Sequence, residues 1–417
     1  MVAVVWDRFS SMATHYDTSD YGSALTPATA DPMELLTLDE LRERHSMKWT
    51  RYPADVLPLW VAEMDAVVAQ PVIDAVMTVL TTGDTGYPGR DRLLQDAFVG
   101  FAWDRWGWQV PFSSVSVVPD VMHGIVEVLR ASKAQRVAIT SPVYPPFRAY
   151  PEQEGMDVVD VPLTDAGRLD IPALAAAFEH VDVMLLCNPH NPSGVAHTVE
   201  ELTALLDAAH AHGVLIIADE IHGPLTSVRA DTAAGGSVFT PVLTVPTEAA
   251  VVTVTSAAKG WHLAGFKAGV AVHNDAAAPL MANLASHVAD GVGFVSMVAH
   301  AAAFREGRDW LSAVQRHIDE ARDVFGEALG DLIPDAHLAP ADATYLAWVD
   351  FRDVRTASGA TLGQDPSEFF LKHARVAMNP GPSFGPGGAG FARVNLATRK
   401  DILVAAVTQM SEALARG

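Results

Sequence analysis

From about residue 110 the chain alternates short β-branched runs with helix-length stretches, and no other feature constrains its fold as tightly. Runs of four or five apolar residues are too short for helices, and spacing them by helical segments implies βαβ units around a mainly parallel sheet. Strands are expected at 115–118, 136–140, 183–187, 214–218, 251–254 and 268–272. The clearest unit runs from Val183–Cys187 through the loop Asn188-Pro-His-Asn-Pro-Ser-Gly194 to a helix starting at Thr198, then to the strand at 214–218. Thr198 and Glu201 form a capping box, Leu202, Leu205, Leu206 and Ala209 form an apolar stripe, and Gly213 ends the helix. A crossover of this kind pairs its two strands in parallel.

A chain of 417 residues exceeds one typical core. From about residue 300 the pattern changes to an amphipathic helix, Trp310 to Leu329, a strand-like Ala343–Val349 and a Pro/Gly-rich stretch at 379–390. The expected division is a large α/β domain over 71–299 and a smaller α+β domain from 36–70 with 300–417. Residues 1–35, rich in Ser, Thr, Ala and Asp without apolar periodicity, read as a flexible or loosely docked extension.

With 28 basic against 50 acidic residues the net charge is −22, and no Lys/Arg cluster interrupts the excess, which argues against nucleic acid or an anionic membrane as partner. A small anionic ligand needs only a few local cations and remains open. The single cysteine, Cys187, excludes an intrachain disulfide and a cysteine-rich metal site. The opening apolar run ends too early for a signal segment and no later run approaches 18 apolar residues, so a cytoplasmic protein is expected.

The unusual polar residues fall just beyond strand ends: Asp120, Tyr144, Asn191, Asp219, then Ser256 with Lys259. Open α/β sheets bind ligands at that edge. Lys259 follows a β-branched run, among small residues, with Lys267 eight positions on. On this segment alone a surface lysine fits as well as a reactive amine, which has to be desolvated and held near other cations. A pyridine-aldehyde phosphate would use the whole set. Lys259 would hold the aldehyde as an imine, and Asp219 would keep the ring nitrogen protonated. Asn191, with His222 as a second candidate, would bond the phenolic oxygen, and Tyr144 would stack on the ring. Ser256, Lys267 and the amides of Val121 and Met122, where a helix begins, would take the phosphate. The histidines show no metal-ligand spacing, and P-loop and GxGxxG fingerprints are absent. No metal is expected.

At these residues the chain resembles the fold-type I pyridoxal 5'-phosphate (PLP) enzymes, the aspartate aminotransferase superfamily, over roughly 36–412. The matches are Asn191-Pro-Ser-Gly, Asp219-Glu, Ser256-x-x-Lys259 with Lys267, and Arg393-Val-Asn-Leu. Within it the chain looks most like the cystathionine β-lyase/C-S lyase branch. Lys48-Trp-Thr-Arg-Tyr-Pro, Leu57-Pro-Leu-Trp-Val-Ala-Glu-Met-Asp65, Gly86-Tyr-Pro-Gly, Ser141-Pro-Val-Tyr-Pro-Pro-Phe147, Asp219-Glu-Ile-His222 and Asn379-Pro-Gly-Pro-Ser-Phe-Gly385 carry that likeness.

The resemblance implies that Lys259 is the imine lysine, Asp219 the pyridinium partner, Asn191 the phenolic-oxygen donor and Tyr144 the stacking residue. It implies that Arg393 clamps the substrate α-carboxylate. Tyr87 would reach the phosphate of a neighbouring subunit and also meet substrate, so a homodimer with sites at its interface is expected. The implied activity is α,β-elimination of L-cystathionine or related L-cysteine S-conjugates to thiol, pyruvate and ammonia, with an aminotransferase as the alternative. Ala258 stands where a serine usually precedes the lysine, Lys267 replaces the commoner arginine, and His262 stands where a small polar residue is frequent.

Overall fold

The computed structural model describes residues 30–89 and 92–417. Its centre is a seven-stranded sheet of β1 (Val115–Val118), β2 (Arg136–Ile139), β3 (Asp157–Asp160), β4 (Val183–Cys187), β5 (Leu215–Asp219), β6 (Val251–Thr255) and β7 (Gly269–His273). The spatial order is β1-β7-β6-β5-β4-β2-β3. All neighbours from β6 across to β3 pair in parallel, whereas β7 runs antiparallel to both β6 and β1. The architecture is therefore α/β with a mainly parallel sheet, and the six expected strands appear within one residue of their expected bounds. The expectations lacked β3, whose Asp157-Val-Val-Asp lies at the sheet edge and carries a charge at each end. Such an edge strand has little apolar signature.

Strands β4 and β5 are buried at every position. Val183, Leu185 and Cys187 face one apolar cluster with Ile125 and Val128 of α1 (Val121–Ser132). Met184 and Leu186 face the opposite cluster with Leu202, Leu205 and Leu206 of α2 (Val199–His212). Period-two alternation thus buries both faces, each fully buried Val or Leu contributing roughly 1.5–3 kcal/mol. The same alternation puts Asp219 on the face of Leu215 and Ile217, at the strand's carboxyl end. Helix α2 keeps its capping box, Thr198 Oγ1 accepting from the Glu201 amide and the Glu201 carboxylate accepting from the Thr198 amide.

After β6 comes the single turn α3 (Ala257–Gly260). Behind it Trp261 is fully buried against Phe101 and Phe304, and its indole N–H donates to the Gly307 carbonyl at 2.8 Å. The helix carrying Lys259 therefore sits on a rigid aromatic base.

A four-stranded antiparallel sheet, β8 (His337–Leu338), β9 (Leu346–Asp350), β10 (Asn379–Pro380) and β11 (Phe391–Asn395), has the order β10-β11-β9-β8. Phe325 and Leu329 of the long helix α4 (Arg308–Leu332) and Leu403, Val407 and Met410 of α5 (Lys400–Arg416) pack on Ala347, Val349 and Val394. Leu57 and Pro58 pair in parallel with Val376 and Ala377, and the Asn395 amide donates to the Leu59 carbonyl at 2.9 Å. These contacts lay residues 57–58 along 376–377 and bring Leu59 to the end of β11.

Of the extension expected over 1–35, residues 1–29 lie outside the described residues. Beyond them Met33 is fully buried and Asp31 meets Nδ1 of His317 at 2.6 Å. Among the described residues no helix is long and apolar enough to cross a membrane.

Candidate active site

A cavity of about 220 Å³ opens beyond the carboxyl ends of the parallel strands, and Lys259, Asp219, Asn191, His222, Tyr144, Ser256, Lys267, Val121 and Met122 all line it. Loops after five different strands supply them. Arg393 reaches the same place from β11, since its guanidinium touches Asn191. Tyr87 does not join them within one chain; it is 99% exposed.

Lys259 is the third residue of α3, whose first turn is capped by Ser256 Oγ accepting from the Ala258 amide at 3.1 Å. Its amine donates to the Ala62 carbonyl at 2.8 Å. Burial, and next the charge of Arg393, pull its pKa down to about 8, while Asp219 pulls the other way. Burial disfavours a cation and a like charge adds to the penalty.

Asp219 is buried, and its Oδ1 accepts from the Ile221 amide at 3.0 Å. Burial pushes its carboxyl up to about 6, against the lowering effects of that amide and of Lys259. A buried carboxylate is stabilised by a cation that hydrogen-bonds to it, and a protonated ring nitrogen has both properties. His222 is buried beside the ring of Tyr345, its Nδ1 has no hydrogen-bond partner, and burial lowers its pKa to about 3. It is a neutral imidazole with an unused nitrogen.

Asn191 Oδ1 accepts from Arg393 Nη1 at 3.0 Å, and the Asn191 carbonyl accepts from the Tyr144 amide at 3.0 Å. Gly194 permits this loop, because at φ +75 a Cβ there would lie 2.6 Å from Ala341 Cβ and 2.9 Å from the Ala343 carbonyl. Tyr144 is half-buried, with its phenol pushed up to about 12 chiefly by burial. Arg393 also donates from Nη2 to the Trp60 carbonyl at 3.2 Å and lies 5.1 Å from the Phe384 ring centre, while its Nε is unpartnered.

The anion-binding end is built differently from the expectation at one position. Ser256 Oγ donates to the Ala268 carbonyl at 2.7 Å, so its proton must turn to meet a phosphate. Val121 and Met122 open α1, where backbone amides have no intrahelical acceptor, whereas the His123 amide is taken by the Asp120 side chain at 2.8 Å. Lys267 Nζ meets the same carboxylate at 3.1 Å and is largely exposed.

The residues fit PLP on these observations: a lysine amine of lowered pKa, a buried carboxylate without a cation bonded to it, an orphaned imidazole nitrogen, and free helix-start amides beside a cation. Two groups at the site were not anticipated. Tyr345, fully buried, donates its hydroxyl to the Ala62 carbonyl at 3.1 Å, so this carbonyl serves both Tyr345 and Lys259. In the sequence Tyr345 sits within an apolar strand and reads as core, and a backbone carbonyl has no residue signature.

The family model for aminotransferases of class I and II matches residues 114–408. The chain belongs to this family. Relatives within and around it include a Mycobacterium tuberculosis protein provisionally named cystathionine β-lyase, 40% identical over 92% of this chain and 98% of the relative. A Corynebacterium glutamicum protein named cystathionine β-lyase is 31% identical over 92% of this chain and 100% of its own length. Among solved structures, a protein of Corynebacterium diphtheriae provisionally described as a PLP-dependent β-cystathionase superposes with a TM-score of 0.81 at 32% identity, covering 92% of this chain and 99% of that one. In this class I and II family member, the span 114–408 contains Lys259, Asp219, Asn191, His222, Tyr144, Ser256, Lys267, Val121 and Met122 as well as Arg393, while Ala62 lies outside it.

Proposed function

We propose that this protein is a PLP-dependent C-S β-lyase that converts L-cystathionine or a related L-cysteine S-conjugate, with water, to a thiol, pyruvate and ammonia. The reading is carried by near-full-length similarity to proteins named cystathionine β-lyase, combined with Lys259, Asp219, Asn191 and Arg393 around one cavity.

When bound, the cofactor supplies an electrophilic carbon for the substrate amine and a protonated ring that accepts the electron pair left at the α-carbon. Asp219 holds the proton on the ring nitrogen. Asn191 and His222 would hold the phenolic oxygen, Tyr144 would stack on the ring, and the Val121 and Met122 amides with Ser256 and Lys267 would hold the phosphate. Arg393 presents two guanidinium nitrogens and fixes the α-carboxylate, which orients the α-hydrogen toward Lys259. The Lys259 amine takes that proton as general base, since burial keeps a share of it uncharged near neutral pH. The thiolate departs from the β-carbon. We read the working unit as a cytoplasmic homodimer in which Tyr87 of each copy, solvent-exposed in the single chain, reaches the other's site.

Transamination would start with the same proton transfer, so the decisive assay leaves out any keto-acid acceptor. Holoenzyme incubated with L-cystathionine should release pyruvate and free thiol in equal amounts. Absence of pyruvate from every S-substituted cysteine tried, with amino-group transfer once a keto acid is added, would overturn the lyase reading.

A further inference from the structure

The segment Trp60-Val-Ala-Glu63 presents its carbonyls to side chains from several directions. The Glu63 amide donates to the Val61 carbonyl at 2.9 Å, closing a three-residue turn with Ala62 at its apex. Nδ2 of Asn395 donates to both ends of that turn, to the Val61 carbonyl at 2.8 Å and the Glu63 carbonyl at 2.6 Å. Lys48 Nζ adds a second donor to Glu63 at 3.2 Å. The apex carbonyl, Ala62, is left for Lys259 at 2.8 Å and Tyr345 at 3.1 Å.

Asn395 is built to hold that grip. It is fully buried on β11, two residues beyond Arg393, and its Oδ1 accepts from the Ala397 amide at 2.8 Å. That bond fixes which end of the amide is oxygen, so both N–H groups point at the turn. Its backbone amide pins Leu59 as well. A buried amide with its oxygen and both N–H groups bonded has one orientation, and whatever it holds inherits that rigidity.

We propose that Asn395 is a positioning residue for Lys259: by clamping both ends of the Val61-Ala62-Glu63 turn it aims the Ala62 carbonyl at the lysine amine. The carbonyl accepts from the amine most strongly when that amine is an ammonium, after it has taken the substrate proton. It thus holds Lys259 in place between removing a proton and passing it on. The inference rests on the reading of Lys259 as the proton-moving amine.

The test uses Asn395→Ala in the full chain. In protein freed of cofactor, the rate of PLP capture, followed by absorbance, reports the uncharged fraction of Lys259. Losing an acceptor for the ammonium form lowers the midpoint of its pH profile, by about half a unit or more, below that of the wild type. In the holoenzyme kcat should fall roughly tenfold or more while KM moves less than about threefold. An unchanged midpoint, whatever happens to melting temperature, overturns the proposal. Should Asn395→Ala not fold, Asn395→Ser, which keeps a polar group but cannot reach both carbonyls, carries the same expectation. A wild-type chain that captures no PLP at all would instead sink the cofactor reading.

Discussion

Arg393 Nη1 and Asn191 Oδ1 are hydrogen-bonded at 3.0 Å, joining a strand of the small sheet to a loop of the large one. Because a guanidinium only donates, the bond fixes the Asn191 amide with its oxygen toward Arg393. Its NH₂ group, which makes no hydrogen bond to the described residues, is the end left for the cavity. The group proposed to hold the substrate carboxylate therefore also sets the donor proposed for the cofactor's phenolic oxygen.

Arg393→Ala should accordingly do two things. Loss of one charge-assisted carboxylate contact should cost about 1.5–3 kcal/mol in kcat/KM. Release of Asn191 should also shift the pH titration of the bound cofactor's absorbance, before any substrate is added. Arg393→Lys should recover little, since an ammonium cannot serve Asn191, the Trp60 carbonyl and a carboxylate together. Wild-type kcat/KM in either variant would remove the clamp.

Asp219→Asn keeps the side chain's shape and its bond from Ile221 but removes the charge. A neutral amide no longer holds a proton on the ring nitrogen, so kcat should drop by roughly 10² or more, the scale of losing one preorganised electrostatic contact. Stopped-flow exchange of the substrate α-hydrogen checks this directly, and an unaltered exchange rate would contradict the role.

Lys259, Asp219 and Asn191 stand out in the sequence as polar residues just past apolar strands, whereas Arg393 is singled out only by the resemblance that Arg393-Val-Asn-Leu carries. Strand existence was legible because both faces of β4 and β5 are buried, so nearly every position is apolar. The 57–65 segment carries part of the likeness to the lyase branch, but its physical role is not visible in the sequence. It works through carbonyls, and its parallel pairing with 376–377 spans two residues, too short for a period. The position of Ser256 suggests a phosphate donor, but the Ala268 carbonyl competes for its single proton.

The amine of Lys259 titrates near pH 8, below the ordinary lysine value of 10.5. Below the lower value the folded and unfolded chains both carry the proton, and the folded one bears the burial penalty. Between the two values the unfolded chain binds the proton and the folded chain does not, so this group makes stability rise with pH across that window. In cofactor-free protein, urea unfolding at pH 7 and pH 10 should show Lys259→Met gaining stability relative to wild type at pH 7 and losing most of that advantage at pH 10. A constant difference between the two would mean that the lysine is not perturbed.

Tyr87 is 99% exposed in the single chain, an uncommon state for a large aromatic side chain and the one expected if a second copy covers it. If it serves the partner's site, Lys259→Ala and Tyr87→Phe chains should complement each other. In the hybrid dimer one site has both lesions, while the other combines an intact Lys259 with an intact Tyr87 from across the interface. Unfolding and refolding the two in equal amounts makes half of the dimers hybrids with one sound site each, so about a quarter of wild-type activity should return at limiting PLP. If Tyr87 acted within its own chain, the hybrid would contain no sound site, and mixing would give no more activity than the two variants measured separately.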